Sequence, residues 1–475
     1  MTLRLVIALS LAVGAAACSL APAYRTPDPV PPAAGYAALA DWQPAAPAET
    51  TARGSWWRVY ANPALDGLEL RLEPGNQDLR AAVARLQQAR AQTRVAQSGF
   101  YPQVTANGYG NRTRTSLGSP RFPQTEAPIS NDFDLEADLS YQLDLFGRVR
   151  STVNAARATQ QASAADLATL QLTLQAELAS DYFGLQAADA QQQLLDRTVQ
   201  AYEKALQLTR NLFAGGAVAQ ADVDQAEAQL AGARTQAADV HLQRAQLEHA
   251  IAILIGENPS TFHLDPAPLD GTVAPPAIDA GLPSALLERR PDIAAAERRV
   301  AAANAGIGVA RAAYFPAFTL TGAGGYNDVQ ASQLFTAPSR LWSLGASGAL
   351  TLFDAGLHRA QSAAAHAAFD EQVADYRKAV LTAYGEVEDS LAGLHQLELE
   401  SRSEAAAVVA TAKALDQAQH LYQAGATTYL QVVVAENAAL QAELSASNIQ
   451  LRRLTASVTL VKALGGGWQA PAPRT

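Results

Sequence analysis

From Arg148 to Phe213 the sequence contains no proline and one interior glycine, Gly184. Apolar residues step through it by three and four: Leu167, Leu170, Leu174, Leu178, Tyr182 and Leu185, then Leu195, Val199, Tyr202 and Leu206. That is the helical period. A helix of about 65 residues is about 100 Å long at 1.5 Å per residue, several times the ordinary globular length. Gly215 and Gly216 stop the run, and a second helix is expected from about Ala219 to Ile255.

The stretch just before has another period. Asp132, Asp134, Glu136, Asp138, Ser140, Gln142 and Asp144 alternate with Phe133, Leu135, Ala137, Leu139, Tyr141, Leu143 and Leu145, ending at Phe146. A strand sends successive side chains to opposite faces, so one face is polar and mostly acidic and the other apolar. A half-buried strand of a soluble sheet would alternate in the same way. A transmembrane wall with water on one side and lipid on the other would place Asp132, Asp134, Glu136, Asp138 and Asp144 on the lumen, since carboxylates facing lipid are costly. Such a lumen predicts a mild cation preference.

The N-terminus argues for export. Arg4 precedes a short apolar run, Leu5–Val13, then Gly14-Ala15-Ala16-Ala17-Cys18. The run is too short to span a membrane. Small residues before a cysteine resemble a bacterial lipoprotein cleavage box, although Ala15 stands where leucine is usual. Cys18 is the only cysteine, so it forms no internal disulfide; lipidation would account for it, and plain signal-peptide cleavage is the alternative. Ser19 after the cysteine resembles the outer-membrane sorting default. No other stretch has the 18 to 20 or so unbroken apolar residues of a spanning helix, so any crossing is by strands.

The chain then repeats itself. Arg290-Pro291-Asp292-Ile293 matches Asn76-Gln77-Asp78-Leu79, and Tyr314-Phe315-Pro316 matches Phe100-Tyr101-Pro102, both at an offset of 214. Phe318–Gly324 begins a second strand pair, Asn327–Arg340 is its loop, and Trp342–Phe353 alternates as the returning strand. A second proline-free run, about Ala355–Tyr422, matches the first long helix at an offset of 209, including Gly216 with Gly425. Each half reads helix, strand, loop, strand, long helix, turn, helix. Four strands close no barrel, because the smallest natural ones have about eight, so closure needs further copies.

Chemistry is sparse. The net charge of −10 argues against a nucleic-acid partner. The seven histidines are scattered, and His241, His249 and His263 lack the further ligands a metal site needs. No phosphate loop or nucleophile elbow occurs. The expectation is no catalytic residue, no metal and no cofactor.

Several pieces together carry a family resemblance: Cys18-Ser19-Leu20-Ala21-Pro22; Trp57 with Asn62-Pro63-Ala64-Leu65; Asn76-Gln77-Asp78-Leu79-Arg80; the junctions at Pro102 and Pro316; Asp144-Leu145-Phe146-Gly147; Leu352-Phe353-Asp354-Ala355-Gly356; and Tyr422, Gly425 and Tyr429-Leu430. In order, spacing and duplication these resemble the outer-membrane efflux protein family, the TolC-like factors, and within it the lipoprotein branch of multidrug systems. The resemblance implies a mixed fold: a long periplasmic α-helical barrel, plus four strands per protomer of a trimeric 12-stranded transmembrane β-barrel. It implies a homotrimer and a passive duct for drugs or other small molecules. Its partners would be a periplasmic adaptor protein, an inner-membrane pump of the resistance-nodulation-division type and outer-membrane lipid.

The tips at Gly215, Gly216, Val218, Gly425 and Thr428 would face the adaptor and pump. Relatives often place an acid four residues after the leucine of the tip motif and a base seven after; here stand Val434 and Asn437. The resemblance therefore implies a gate at Tyr429, Leu430, Val434 and Asn437; in place of the relatives' ion pairs, the expectation here is closure by apolar contact of Tyr429, Leu430 and Val434 with hydrogen bonding at Asn437. A type I protein-secretion duct, or a coiled-coil envelope lipoprotein without a pore, are the alternatives.

The organisation expected is a signal peptide (1–17), a lipid-anchored tether (18–54), the first helices of repeat 1 (55–102), strands 1–2 (103–146), helical hairpin 1 (147–257) and an equatorial linker subdomain (258–283). Then come the first helix of repeat 2 (284–316), strands 3–4 (317–353), hairpin 2 (354–464) and a C-terminal tail (465–475).

Overall fold

A computed structural model describes residues 20–31, 36–37, 54–114, 116, 129–271, 274–278 and 289–467. The signal segment, Cys18 and the tail beyond 467 lie outside the described residues. The chain divides into two compact units. One holds the residues up to Asp28, Arg85–Ala164 and Ala295–Tyr376; the other holds Pro29–Ala84, Ala165–Ala294 and the residues from Arg377 on.

After a 3-10 turn at Trp56–Tyr60, the elements in chain order are α1 (Pro63–Gly75), α2 (Gln77–Ser98), β1 (Gln103–Arg114), β2 (Ile129–Leu143), α3 (Arg148–Ala214) and α4 (Gln220–Leu254). They continue with α5 (Pro291–Ala312), β3 (Ala317–Asp328), β4 (Arg340–Ala349), α6 (Leu357–Gln423) and α7 (Tyr429–Ala463). The two long helices have 67 residues each, and their return helices have 35 each. No helix among the described residues is long and apolar enough to cross a membrane.

In the first unit the strands form one antiparallel sheet in the order β1-β2-β3-β4. Two strand ends differ from the sequence expectation. β2 stops at Leu143, so Asp144 is not a wall residue. Its carboxylate accepts from the backbone N–H of Val149 and Arg150 at 2.9 Å each and pairs with the Arg150 guanidinium at 3.1 Å. Asp144 thus satisfies the first free N–H groups of α3 and sits at the favourable end of its dipole. β4 stops at Ala349, and Asp354 does the same work for α6, accepting from Gly356 and His358 at 2.8 and 2.9 Å. Those N–H groups hold the Asp354 carboxyl below its ordinary range.

The chain's N-terminal described segment lies in the same unit against α5. Tyr24 donates its hydroxyl to Glu297 and lies under the Arg298 guanidinium at 5.8 Å. Asn304 donates to the Pro22 carbonyl at 2.9 Å. At Gly308 a Cβ would stand 2.6 Å from both the Ala21 Cβ and the Ser151 Oγ, so glycine lets the segment lie close.

In the second unit a core joins Trp56, Trp57, Leu65, Leu68 and Leu72 to Leu178, Tyr182, Phe183, Ile251, Leu454 and Val458. Each such side chain contributes about 1.5–3 kcal/mol by leaving water. Asn62 starts α1: its Oδ1 accepts from Ala64 and Leu65 at 3.1 Å, with Pro63 in the first helical position. Residues 258–271 and 274–278, expected as a mixed subdomain, contain no regular element.

One core residue is a carboxyl. Glu69 is 2% exposed, and neither of its oxygens has a hydrogen-bond partner among the described residues. Burial, with the nearby Asp66 charge adding to it, pushes the Glu69 carboxyl up to about 9.

The repeat is visible in contacts as well as in sequence. Asn76, buried ahead of α2, donates to the Leu254 carbonyl at 2.8 Å; Arg290, buried ahead of α5, donates to the Ala463 carbonyl at 2.9 Å. The offsets are those of the sequence repeat, 290 − 76 = 214 and 463 − 254 = 209. Both bonds satisfy a carbonyl at a helix C-terminus. The backbone crossings beside them also correspond: a Cβ on Gly256 would collide with the Gly75 carbonyl, and one on Gly465 with the Arg289 carbonyl.

Candidate channel wall and tip

The strand register assigns every side chain of the sheet to a face. Asp134 stands opposite Tyr109 and Asn327, Glu136 opposite Asn107 and Gly325, and Asp138 opposite Thr105 and Ala323. This polar face is laced together: Tyr109 donates to Asp132 at 3.1 Å, Asn107 to Asp138 at 2.6 Å, and Asn327 to Asp132 and Asp134 at 2.8 and 3.3 Å. The structure thus brings Asp132, Asp134, Glu136 and Asp138 together on one face and leaves out Asp144.

The other face is apolar on all four strands up to their ends away from the helices, where Arg112, Arg114, Asp328 and Arg340 stand. Leu135 pairs with Gly108 and Tyr326, Leu139 with Val104 and Gly322, Gly322 with Leu344, and Gly324 with Trp342. Trp342 is 77% and Leu344 82% exposed, values that an aqueous surface would penalise. On β2 the band runs from Leu143 to Phe133, about 33 Å along a strand at 3.3 Å per residue. At the usual barrel tilt of about 40° that spans about 25 Å, the height of an outer-membrane apolar belt. The outer edges of β1 and β4 pair with no other described strand.

The second candidate feature lies in the other unit, where the hairpins turn. Gly216 and Gly425 have φ of +74° and +70°, open to glycine at little cost. In both turns the glycine N–H and the one after it bond back to the last helical carbonyls: Gly216 to Phe213 and Ala217 to Leu212 at 2.9 Å, Gly425 to Tyr422 at 3.0 Å and Ala426 to Leu421 at 2.9 Å. This is the glycine-terminated helix stop. Gly215, Gly216, Gly425 and Thr428 are exposed and Val218 is half-buried.

Of the four expected gate residues, Tyr429 differs from the rest. It is 5% exposed and packs with Tyr202, Leu206, Val223, Val432 and Val433. Its ring lies 5.6 Å from that of Tyr422. It therefore holds the two hairpins together and offers no surface to a neighbour. Leu430, Val434 and Asn437 are exposed, and their spacing of four and three puts them on one stripe of α7. Leu430 is 47% and Val434 56% exposed.

Sequence reasoning missed Glu436, half-buried on the face of α7 that carries Tyr429 and Val432. Burial pushes its carboxyl up to about 7, with the Gln419 side chain opposing, and its Oε2 has no partner among the described residues. The hydroxyls of Tyr202 and Tyr422 are unpartnered as well. The helical step from Tyr429 and Val432 to Glu436 was readable, but only once Tyr429 was known to be inside. Among the described residues no group of His, Cys, Asp and Glu is placed to hold a metal; His263 pairs with Glu248 at 2.9 Å.

The pattern of the outer membrane efflux protein family matches residues 71–257 and 282–466. The chain belongs to the outer membrane efflux protein family. The two matched stretches are the two repeats. A probable efflux pump outer membrane protein, TtgC of Pseudomonas putida, is 34% identical over 466 residues, covering 97% of this chain and 95% of TtgC. The pyoverdine export outer membrane protein OpmQ of Pseudomonas aeruginosa is 34% identical over 448 residues, 93% of this chain and 94% of its own. The solved outer-membrane channel OprN superposes with a TM-score of 0.86 at 32% identity, over 95% of this chain and all of the OprN chain, 100%. The efflux protein, mostly helical with one four-stranded sheet among the described residues, shares its fold with the OprN channel.

Proposed function

We propose that this efflux protein is the passive outer-membrane duct of a tripartite pump, exporting drugs or other small molecules across the periplasm. One observation carries the reading: a sheet with an acidic, hydrogen-bonded face and an exposed apolar face about 25 Å tall, open at both edges and continued by helices of 67 residues. Three copies would supply twelve strands and close the edges. The acidic face would then line water and the apolar face would meet lipid. Energy would come from an inner-membrane pump, reached through a periplasmic adaptor at the tips around Gly216 and Gly425. TtgC is described as an efflux component and OpmQ as a pyoverdine exporter. A duct of this kind does not itself select cargo, so the pump would.

A lipid anchor on Cys18 fits the docked N-terminal segment. Ala21 meets Gly308, Pro22 meets Asn304 and Tyr24 meets Glu297. Read towards the N-terminus, the segment therefore runs along α5 in the direction of β3 and the proposed membrane. The mass of the mature N-terminal peptide should exceed that of the unmodified peptide by a diacylglyceryl group and one acyl chain; an unmodified cysteine would remove the anchor.

The gate would be the exposed stripe Leu430, Val434 and Asn437, with Tyr429 as the packing beneath it. In planar bilayers the purified protein should form low-conductance channels. Leu430→Ser with Val434→Ser should raise the single-channel conductance several-fold by removing apolar closure contacts, while Asn437→Ala should change it less. Absence of any channel from an intact trimer would refute the duct. An unchanged conductance in the double variant would refute the apolar gate alone.

A further inference from the structure

Charge on the sheet is sorted by face as well as by strand. The carboxylates of Asp132, Asp134, Glu136 and Asp138 share the polar face. The arginines do not join them. On β1 the apolar face reads Val104, Ala106, Gly108, Gly110 and then Arg112 and Arg114. On β4 the same face reads Gly348, Ala346, Leu344, Trp342 and then Arg340, opposite Tyr326. All three arginines are exposed and lie at the strand ends away from the helices. None has a carboxylate partner among the described residues. The nearest acid of that face and end, Asp328, is already engaged: it accepts from Ser339 at 2.5 Å and from the Gln330 N–H at 2.8 Å.

The placement has a physical meaning on the apolar band. Arg112 lies two residues beyond Gly110, the partner of Phe133, where the band ends. Arg340 lies two residues beyond Trp342. Side chains there leave the hydrocarbon and enter the headgroup layer, where an aromatic ring such as Trp342 also sits well. A guanidinium presents a planar fork that matches two oxygens of a phosphate. Solvation alone would not require arginine; it would be served as well by any polar residue.

We infer that Arg112, Arg114 and Arg340 form a binding site for a phosphate-bearing lipid headgroup at the outer rim of the barrel. The inference rests on the proposed assignment of the apolar face to lipid. β1 and β4 are the two edge strands, so edge-to-edge closure would bring Arg112 and Arg114 of one copy to the side of the sheet where Arg340 of the next copy lies. The site is then completed by a second copy of the chain, and each junction of the barrel would hold one.

The test uses the full-length trimer and two probes, bisphosphoryl lipid A and the same glycolipid with both phosphates removed. Native mass spectrometry should show the phosphorylated form retained at least about fivefold more than the dephosphorylated one, as expected for paired charge-assisted hydrogen bonds. The combined substitution Arg112→Gln, Arg114→Gln and Arg340→Gln should abolish that preference while the trimer and its conductance persist. Equal retention of both probes by the parent, or an unchanged preference in the triple variant, would overturn the site. Displacement of the lipid by an equal concentration of inorganic phosphate would assign the arginines to the free ion and would also overturn it. The face assignment is read separately: fluorescence quenching by brominated acyl chains should drop when Trp342 is replaced by phenylalanine. Without that drop the face reading itself fails, whatever the probes do.

Discussion

Gly256→Ala should prevent the second unit from assembling, and Gly465→Ala should come close to doing so. At Gly256 φ is +75°, and at Gly465 it is +90°. A left-handed alanine by itself costs about 1–2 kcal/mol. The larger cost is collision, because the added Cβ would meet the Gly75 carbonyl in one case and the Arg289 carbonyl in the other. Backbone cannot swing aside as a side chain can. Relief needs α1 to part from the end of α4, or the start of α5 from the end of α7, and that breaks the bonds from Asn76 to Leu254 and from Arg290 to Ala463. The combined loss falls among the exceptional values, above about 4 kcal/mol.

Gly216→Ala and Gly425→Ala separate the two causes. Those glycines also have positive φ, but nothing lies within 4 Å of a built Cβ. They should lose only the conformational part, about 1–2 kcal/mol. Trimer yield and resistance to proteolysis, compared across the four variants, measure the difference. Equal losses at Gly216 and Gly256 would show that the crossings are not as tight as described.

Glu69→Leu is expected to stabilise the protein, and increasingly so as pH rises. The folded-state carboxyl is raised from 4.5 to about 9, so between those values the folded chain holds a proton that the unfolded chain has released. Stability therefore falls as pH rises from about 4.5 towards 9. At pH 7 the deficit is on the order of 3 kcal/mol, from about 2.5 units at 1.36 kcal/mol each. Leucine removes the ionisation and fills the same apolar face. Glu69→Gln removes the ionisation but leaves buried polar atoms unpaired, so it should gain less. Calorimetric melting in detergent between pH 5 and 9 should give a falling curve for the parent and a flatter one for the leucine variant. Parallel curves would show that Glu69 reaches solvent or a partner in the assembled protein.

The sequence was most informative where a period ran long enough to outweigh local exceptions. The 67-residue helices, the alternating β2 and the glycine stops were all legible. The end of β2 was not, because Asp144 extends the polar-apolar alternation while serving the next helix. A capping carboxylate and a wall carboxylate look alike until the strand's partner is known, and β3 pairs no further than Leu143. Tyr429 failed for a related reason. Tyr429 and Leu430 are neighbours on a helix and point about 100° apart, so only the hairpin packing tells which is inside. Glu69 had a readable signal: Leu65, Leu68 and Leu72 put position 69 on their own buried face. Surrounded by Asp66, Arg71 and Glu73, it passed for surface charge.

The matched helix lengths carry a consequence for how such a chain can change. Removing one residue from α3 would turn everything beyond it by about 100° and draw the tip back by about 1.5 Å. Tyr202 and Leu206 would leave the packing they share with Val223 and Val432, and the first tip would fall out of step with the second. A compensating deletion would be needed in α4, and the same pair again in α6 and α7 if the tips are to stay level. Substitutions along the helices can accumulate one at a time, but changes of length must arrive in sets. Length variation is thereby directed away from the two helical hairpins.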